Sequence, residues 1–259
     1  MKAYCINLDR RPDRLDYMIR EFGSHGVPFE RISAVDAQDP AVAALAAACP
    51  PTAAGPRMSA GAYGCFQSHR EFWRRLVASG DAHGMIFEDD LVLAPGIAQY
   101  LADGWVPADA DIVRLETYET RAHLAAGKGI AAGSRRLFRL HSCILGTGCY
   151  VISNAAARRL LQQTEVFRDP IDEFLFNEKR PDFPHLALYQ MVPGPVIQGD
   201  RVARVAQEGW SATSITGRFA GAGAGGPRPE TPFDRLRRRL TEELRGRLHG
   251  TRYIRVPHG

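Results

Sequence analysis

Apolar positions first gather in a run from Lys2 to Leu8 that ends on polar residues, the pattern of a buried strand. Leu15, Met18, Ile19 and Phe22 then recur at helical spacing, in a helix opened by Pro12 and Asp13 and closed by Gly23. Phe29 to Val35 reads as a second strand, ending at Asp36. Strand, helix and strand in succession predict a parallel sheet whose ligands lie beyond the carboxyl ends of its strands. Residues 37 to 58 are rich in Ala and Pro and predict a helix followed by a mobile loop. Ser59 is placed to cap a long helix that carries Cys65, Phe66, Phe72, Trp73 and Leu76 at helical spacing. The apolar run Gly84 to Phe87 leads straight into Glu88-Asp89-Asp90. Further strands are expected at Ile112 to Leu115, Leu137 to Leu140, Cys149 to Ile152 and Pro195 to Ile197, with Ser153 capping a helix through Leu160 and Leu161. The class is α/β: one domain with a mostly parallel central sheet flanked by helices.

The pattern changes near the end. Gly221 to Gly226 is almost wholly Gly and Ala, so the expected division is a body at 1–218, a linker at 219–230 and a tail at 231–259. Thr231-Pro232-Phe233-Asp234 has the form of a helix start, and Phe233, Leu236, Leu240, Leu244 and Leu248 make a narrow apolar stripe among arginines. The tail is therefore expected to be a basic amphipathic helix. Two readings stay open for it: a helix docked on its own domain or on a second copy, or an interfacial anchor on anionic lipid.

Composition adds exclusions. At 259 residues, 45% hydrophobic and 24% charged, the chain suits one soluble domain with a sizeable core. No run reaches the roughly 18 to 20 apolar residues of a membrane span, and the N-terminal segment turns polar too soon for a signal peptide. The five cysteines, an odd number without a Cys-x-x-Cys pair, indicate neither a disulfide framework nor a zinc site. A reducing cytoplasm is the expected location, with peripheral contact at the inner membrane if the tail is an anchor. Residues 227–259 hold nine Arg against four acids, a net of +5 of the chain's +4, which leaves the body near −1 and excludes it as a nucleic-acid binder by charge.

The acidic triplet carries the chemistry. Three acids at the end of an apolar strand repel one another where the strand leaves the core, and a hard divalent cation resolves that repulsion through carboxylate oxygens. If the strand continues, Glu88 and Asp90 point the same way and share one face. A metal there would bridge the phosphates of a nucleotide diphosphate. A solvated acidic turn is the competing reading of the triplet alone.

Resemblance over most of the chain tips this balance. Ile6-Asn7-Leu8-Asp9-Arg10-Arg11-Pro12-Asp13-Arg14, the strand ending Ala34-Val35-Asp36, Gly64-Cys65-Phe66-Gln67-Ser68-His69, Ile86-Phe87-Glu88-Asp89-Asp90, Thr147 to Ser153, Pro170-Ile171-Asp172 and Pro195 to Gln198 resemble, in order, the motifs of glycosyltransferase family 25, the lipooligosaccharide glycosyltransferases. The resemblance implies a GT-A-like fold, a nucleotide-sugar donor (UDP-galactose or UDP-glucose), inversion at the sugar carbon, a divalent metal (manganese or magnesium), and a lipopolysaccharide or related envelope glycan or glycolipid as acceptor. It does not extend to the tail.

Within that frame Asn7 and Leu8 are placed to meet the nucleotide, and Asp36 its base or ribose. Arg10, Arg11 and Arg14 include candidates for the pyrophosphate, because guanidinium pairs well with phosphate oxygens; solvated first-turn residues are the alternative. Ser68 and His69, on the long helix, and Asp89, in the triplet, are further donor-site candidates. His69 is read as orienting the acids or the donor, or else as a satisfied core histidine. Glu88 and Asp90 are the metal ligands. Asp172 is the candidate base for the acceptor hydroxyl, against a helix N-terminal acid held by the macrodipole. Gln198 and Asp200, after the strand Pro195 to Ile197, are expected to close the site. An inactive glycan-binding relative, and a metal-dependent phosphohydrolase of nucleotide sugars, are the competing functions; intact acids argue against the first, and no second His/Asp cluster supports the second.

Overall fold

The computed structural model describes residues 1–52, 55–178, 180, 183–202, 240–241, 243–244, 246, 248 and 250–259. The expected linker at 219–230 and the expected helix start at 231–239 lie outside the described residues. In chain order the strands are β1 (Lys2–Asn7), β2 (Glu30–Ser33), β3 (His83–Phe87), β4 (Leu91–Leu93), β5 (Ile112–Arg114), β6 (Glu116–Thr117) and β7 (Arg121–Ala125). They continue with β8 (Ile130–Ala132), β9 (Arg135–Arg139), β10 (Cys149–Ser153), β11 (Leu188–Val192), β12 (Val196–Gln198) and β13 (Thr251–Arg255). The helices are α1 (Pro12–His25), α2 (Pro40–Ala48), α3 (Ala60–Ser79), α4 (Asn154–Gln163) and the short α5 (Ile171–Phe176).

The expected βαβ opening forms. β1 lies between β2 and β3 and runs parallel to both, with Cys5 opposite Arg31 on one side and Phe87 on the other. Its run is apolar throughout because both faces are covered: Tyr4 and Ile6 enter one core, Ala3 and Cys5 the other. Phe66, Phe72 and Trp73 of α3 complete the first core, and Met18 and Phe22 of α1 the second. The Ser59 and Ser153 caps form as expected, each hydroxyl accepting a hydrogen bond from the backbone N–H three residues on. Helix α1 runs past Gly23 and ends at Gly26, whose φ of 66° supplies the left-handed residue.

The sheet is mixed, which corrects the mostly parallel expectation. Its order is β2-β1-β3-β10-β5-β11-β9-β8. β10 enters antiparallel between β3 and β5, β5 and β11 are parallel, and β9 and β8 follow antiparallel. A continuous apolar run such as Cys149 to Ile152 announces burial and says nothing of its neighbours' direction. A small sheet, β4-β12-β6, stands beside the main one.

A second correction concerns the tail. Leu240, Thr241, Glu243, Leu244, Gly246 and Leu248 are helical, and the three leucines are exposed. Thr251–Arg255, however, is a strand pairing antiparallel with β7, not helix. Val256 is buried in the main core, its carbonyl accepting the Thr117 hydroxyl at 2.6 Å, and the Pro257 carbonyl accepts Gly194 N–H at 2.8 Å. The alternation of Tyr253, Ile254, Arg255 and Val256 fits a half-buried strand, and the arginine density of the segment hid it. Among the described residues no helix is long and apolar enough to cross a membrane.

Candidate active site

The acids lie in the turn between β3 and β4, so the condition that the strand continue through them is not met. The turn is pinned at both ends: Glu88 N–H donates to the Gly148 carbonyl at 2.9 Å, and Gly199 N–H to the Asp90 carbonyl at 2.7 Å. Each acid then has its own task. Asp89 accepts from Asn7 Nδ2 at 2.7 Å and from Arg14 Nη1 at 2.8 Å, which ties the ends of β1 and α1 to the turn. Arg14 is buried, so this is a charge-assisted tie rather than a solvated first-turn arginine. Glu88 Oε1 accepts from the Thr147 hydroxyl at 2.7 Å and faces His69 Nε2 at 3.4 Å. Asp90 Oδ1 is buried without a hydrogen-bond partner, and Oδ2 lies 3.6 Å from Arg14.

Electrostatics separates the carboxyls further. Burial and the neighbouring Glu88 push the Asp90 carboxyl up to about 8. Burial also acts to raise Glu88, but the hydrogen bond and charge of His69, with Thr147 and Arg14, hold it below its ordinary value. An orphaned, reluctant carboxylate oxygen beside a second carboxylate fits a divalent cation with hard oxygen ligands.

A different trio also has ligand atoms within 4.8 Å of one another, Cys65, His69 and Glu88. Its chemistry suits hydrogen bonding better. Trp73 Nε1 donates to the Tyr150 hydroxyl at 3.1 Å, and that hydroxyl lies 2.9 Å from His69 Nδ1. The Glu88 carboxylate only accepts, so Nε2 carries the hydrogen that faces it, and in the neutral ring Nδ1 then accepts the proton of the Tyr150 hydroxyl. Burial meanwhile keeps the Cys65 thiol far from ionising.

Two cavities meet at this turn. A small one of about 100 Å³, at the carboxyl ends of β1, β2 and β3, brings together Asn7, Leu8, Arg10, Arg14, Ser68, His69, Glu88, Asp89 and Asp90. Asp36 stands beside it, its carboxylate accepting from Arg10 Nε at 2.7 Å. Ser68 accepts from Val35 N–H and donates to the Gly64 carbonyl, so it joins α3 to the end of β2. The larger cavity, about 1170 Å³, holds Glu88, Asp172 and Gln198. Asp172 is buried, and its oxygens accept from Gly146 N–H at 3.1 Å and Glu173 N–H at 2.9 Å. Glu88 and Cys65 line both cavities.

The family model for glycosyltransferase family 25 (LPS biosynthesis protein) matches residues 1–175. The chain belongs to glycosyltransferase family 25. It is 32% identical over 187 residues to the lacto-N-neotetraose biosynthesis glycosyltransferase LgtB of Neisseria gonorrhoeae, covering 68% of this chain and 67% of the relative. It is 26% identical to the lipooligosaccharide biosynthesis protein lic2B of Haemophilus influenzae, covering 75% of each. Among solved structures it is similar, at a TM-score of 0.41 and 8% identity, to a glycosyltransferase involved in glycosylation of the major capsid of PBCV-1, covering 80% of this chain and 97% of that one. That likeness is too distant to fix the fold.

The family segment contains Glu88, Asp90 and Asp172 and stops short of Gln198. Sequence reasoning passed over several residues that the site uses. Thr147 stood inside a quoted motif, and Gly148 beside it approaches Glu116 so closely that a Cβ would meet Oε1 at 2.7 Å. Glu116 is fully buried, paired with Arg114 at 3.1 Å and accepting from Gly148 N–H at 3.0 Å; burial raises its carboxyl to about 7. Nothing in the local pattern around Glu116 announced it. Tyr253 and Arg255 also line the large cavity, from a segment with no motif at all.

Proposed function

We propose that this family 25 chain transfers a hexose, galactose or glucose, from a UDP-sugar to a lipopolysaccharide, lipooligosaccharide or related envelope glycan, with inversion at the transferred carbon. The observation that carries the reading is the position of Glu88, shared between the small cavity at the strand ends and the large cleft that holds Asp172. A donor at the ends of β1, β2 and β3 would thus present its sugar at the mouth of the acceptor cleft. The names of LgtB and lic2B support the envelope glycan as acceptor.

Glu88 and Asp90 would hold the divalent cation, manganese or magnesium, which supplies charge neutralisation for the departing diphosphate. The Thr147 and His69 contacts fix the Glu88 carboxylate in place before substrate arrives. Arg10, partly exposed at the small cavity and bound to Asp36 through Nε, is the arginine best placed for the pyrophosphate, because Arg14 is buried and committed to both Asp89 and Asp90. Asp172 would take the proton of the acceptor hydroxyl as that oxygen attacks the sugar carbon and the bond to the diphosphate breaks.

The experiment is transfer from UDP-galactose and UDP-glucose, with manganese, onto lipooligosaccharide lacking its terminal sugars, by the native chain and by Asp172→Asn. One hexose added by the native chain, and a loss in the variant of at least about a hundredfold with donor affinity unchanged, is expected. No transfer from either donor overturns the reading. Equal losses of donor affinity and turnover in the variant would move Asp172 out of the base's role.

A further inference from the structure

The large cleft has a wall that the family segment does not supply. Strand β13 closes it through Tyr253 and Arg255, more than seventy positions beyond the matched residues 1–175. The wall is built rather than incidental. His123 stacks on the Tyr253 ring at 4.7 Å and 29°, and the Arg121 guanidinium lies 5.9 Å from the ring centre, which fixes the plane of a partly buried ring that lines the cleft. Arg121 Nη1 donates to the Tyr253 carbonyl at 3.1 Å. Arg255 grips Glu119 twice, Nε to the carbonyl at 2.9 Å and Nη2 to Oε2 at 2.8 Å. Glu119 itself sits at φ 55°, a left-handed conformation that non-glycine residues avoid and that clusters at ligand clamps.

We propose that β13 is the acceptor wall: a neutral sugar ring of the acceptor lies against Tyr253, and its hydroxyls bond to Arg255 and Glu119. The inference rests on the transferase reading and names the chemistry of its second substrate. An aromatic ring receives the apolar C–H face of a pyranose, while a fixed guanidinium–carboxylate pair offers donors and acceptors matched to neighbouring hydroxyls. Charge argues for a neutral group over a phosphorylated one. The cleft's arginines Arg201 and Arg255 are paired with Asp200 at 3.6 Å and Glu119 at 2.8 Å, Arg121 donates to the Tyr253 carbonyl, and Glu88 and Asp172 add two further acids, so acids outnumber arginines in the lining. That lining holds no excess of positive charge to select an anion.

The test uses the full chain and four soluble probes: the methyl β-glycosides of galactose, glucose and N-acetylglucosamine, and glucose 6-phosphate. Saturation-transfer NMR reports binding, and the melting shift caused by UDP with manganese reports the donor site. At least one neutral glycoside should bind, more tightly than glucose 6-phosphate. Tyr253→Phe should keep that affinity within about twofold, and Tyr253→Ala should weaken it about tenfold, both with the UDP shift intact. Should Tyr253→Ala unfold, Arg255→Ala, on an exposed side chain, takes its place with the same expected loss. Unchanged glycoside binding in Tyr253→Ala or in the Arg255→Ala that replaces it, tighter binding of the phosphate probe, or loss of the UDP shift together with glycoside binding would overturn the proposal. Absence of a UDP shift in the native chain would instead count against the transferase reading, so the two failures are told apart.

Discussion

His69 Nε2 stands 3.4 Å from Glu88 Oε1, at the end of a buried relay that begins at the Trp73 indole and passes through the Tyr150 hydroxyl. The relay crosses from α3 to β10 and back, so the carboxylate at the meeting of the two cavities is aimed by the core itself. Tyr150→Phe removes the middle link and leaves two buried polar groups unpaired. It should cost roughly 1 to 3 kcal/mol of stability, measured by urea denaturation. A midpoint equal to that of the native chain would show that the relay does not hold.

Gly64 explains the glycine of the Gly64-Cys65-Phe66-Gln67-Ser68-His69 motif. A Cβ there would meet the Val35 carbonyl oxygen at 2.5 Å, against backbone that cannot swing aside. Alanine in a helix interior is worth up to about 1 kcal/mol over glycine, and Gly23 in α1, with nothing within 4 Å, should show that gain. Gly23→Ala should therefore raise the melting temperature, and Gly64→Ala should lower it and weaken UDP binding. Matching gains at both positions would contradict the close approach of α3 to β2.

Much of this was legible in the sequence. The βαβ opening, the caps at Ser59 and Ser153 and the gathering of Asn7, Arg14, His69 and Glu88 follow from periodicity and motif order, because those residues sit at the ends of regular elements. Strand direction was not legible, since the apolar run of β10 is compatible with either sense. Nor was the tail strand, because its partner β7 lies more than a hundred positions away and local arginine density imitates a basic helix. Glu116 stayed hidden because a buried acid leaves no periodic trace.

That acid has a signature in solution. Burial raises the Glu116 carboxyl from its ordinary 4.5 to about 7, so the folded chain binds the proton more tightly than the unfolded one. The associated stability is present below about 4.5 and is lost as pH rises through 7, a difference of roughly 3 kcal/mol. Denaturation of the native chain and of Glu116→Gln at pH 5 and pH 8 isolates it. The native chain should lose more stability between the two values than the variant; parallel losses would remove Glu116 from the account.

On the proposed reading, Glu88 and Asp90 in the turn after β3 would hold the divalent cation that neutralises the donor's diphosphate. Calorimetric titration of UDP, with and without manganese, into the native chain, Asp90→Asn and Glu88→Gln tests it most directly. Manganese should tighten UDP binding to the native chain by at least about tenfold, a coupling of roughly 1.4 kcal/mol, and either substitution should abolish the enhancement while the metal-free affinity stays. UDP binding that ignores manganese in the native chain, or enhancement that survives both substitutions, would contradict the claim.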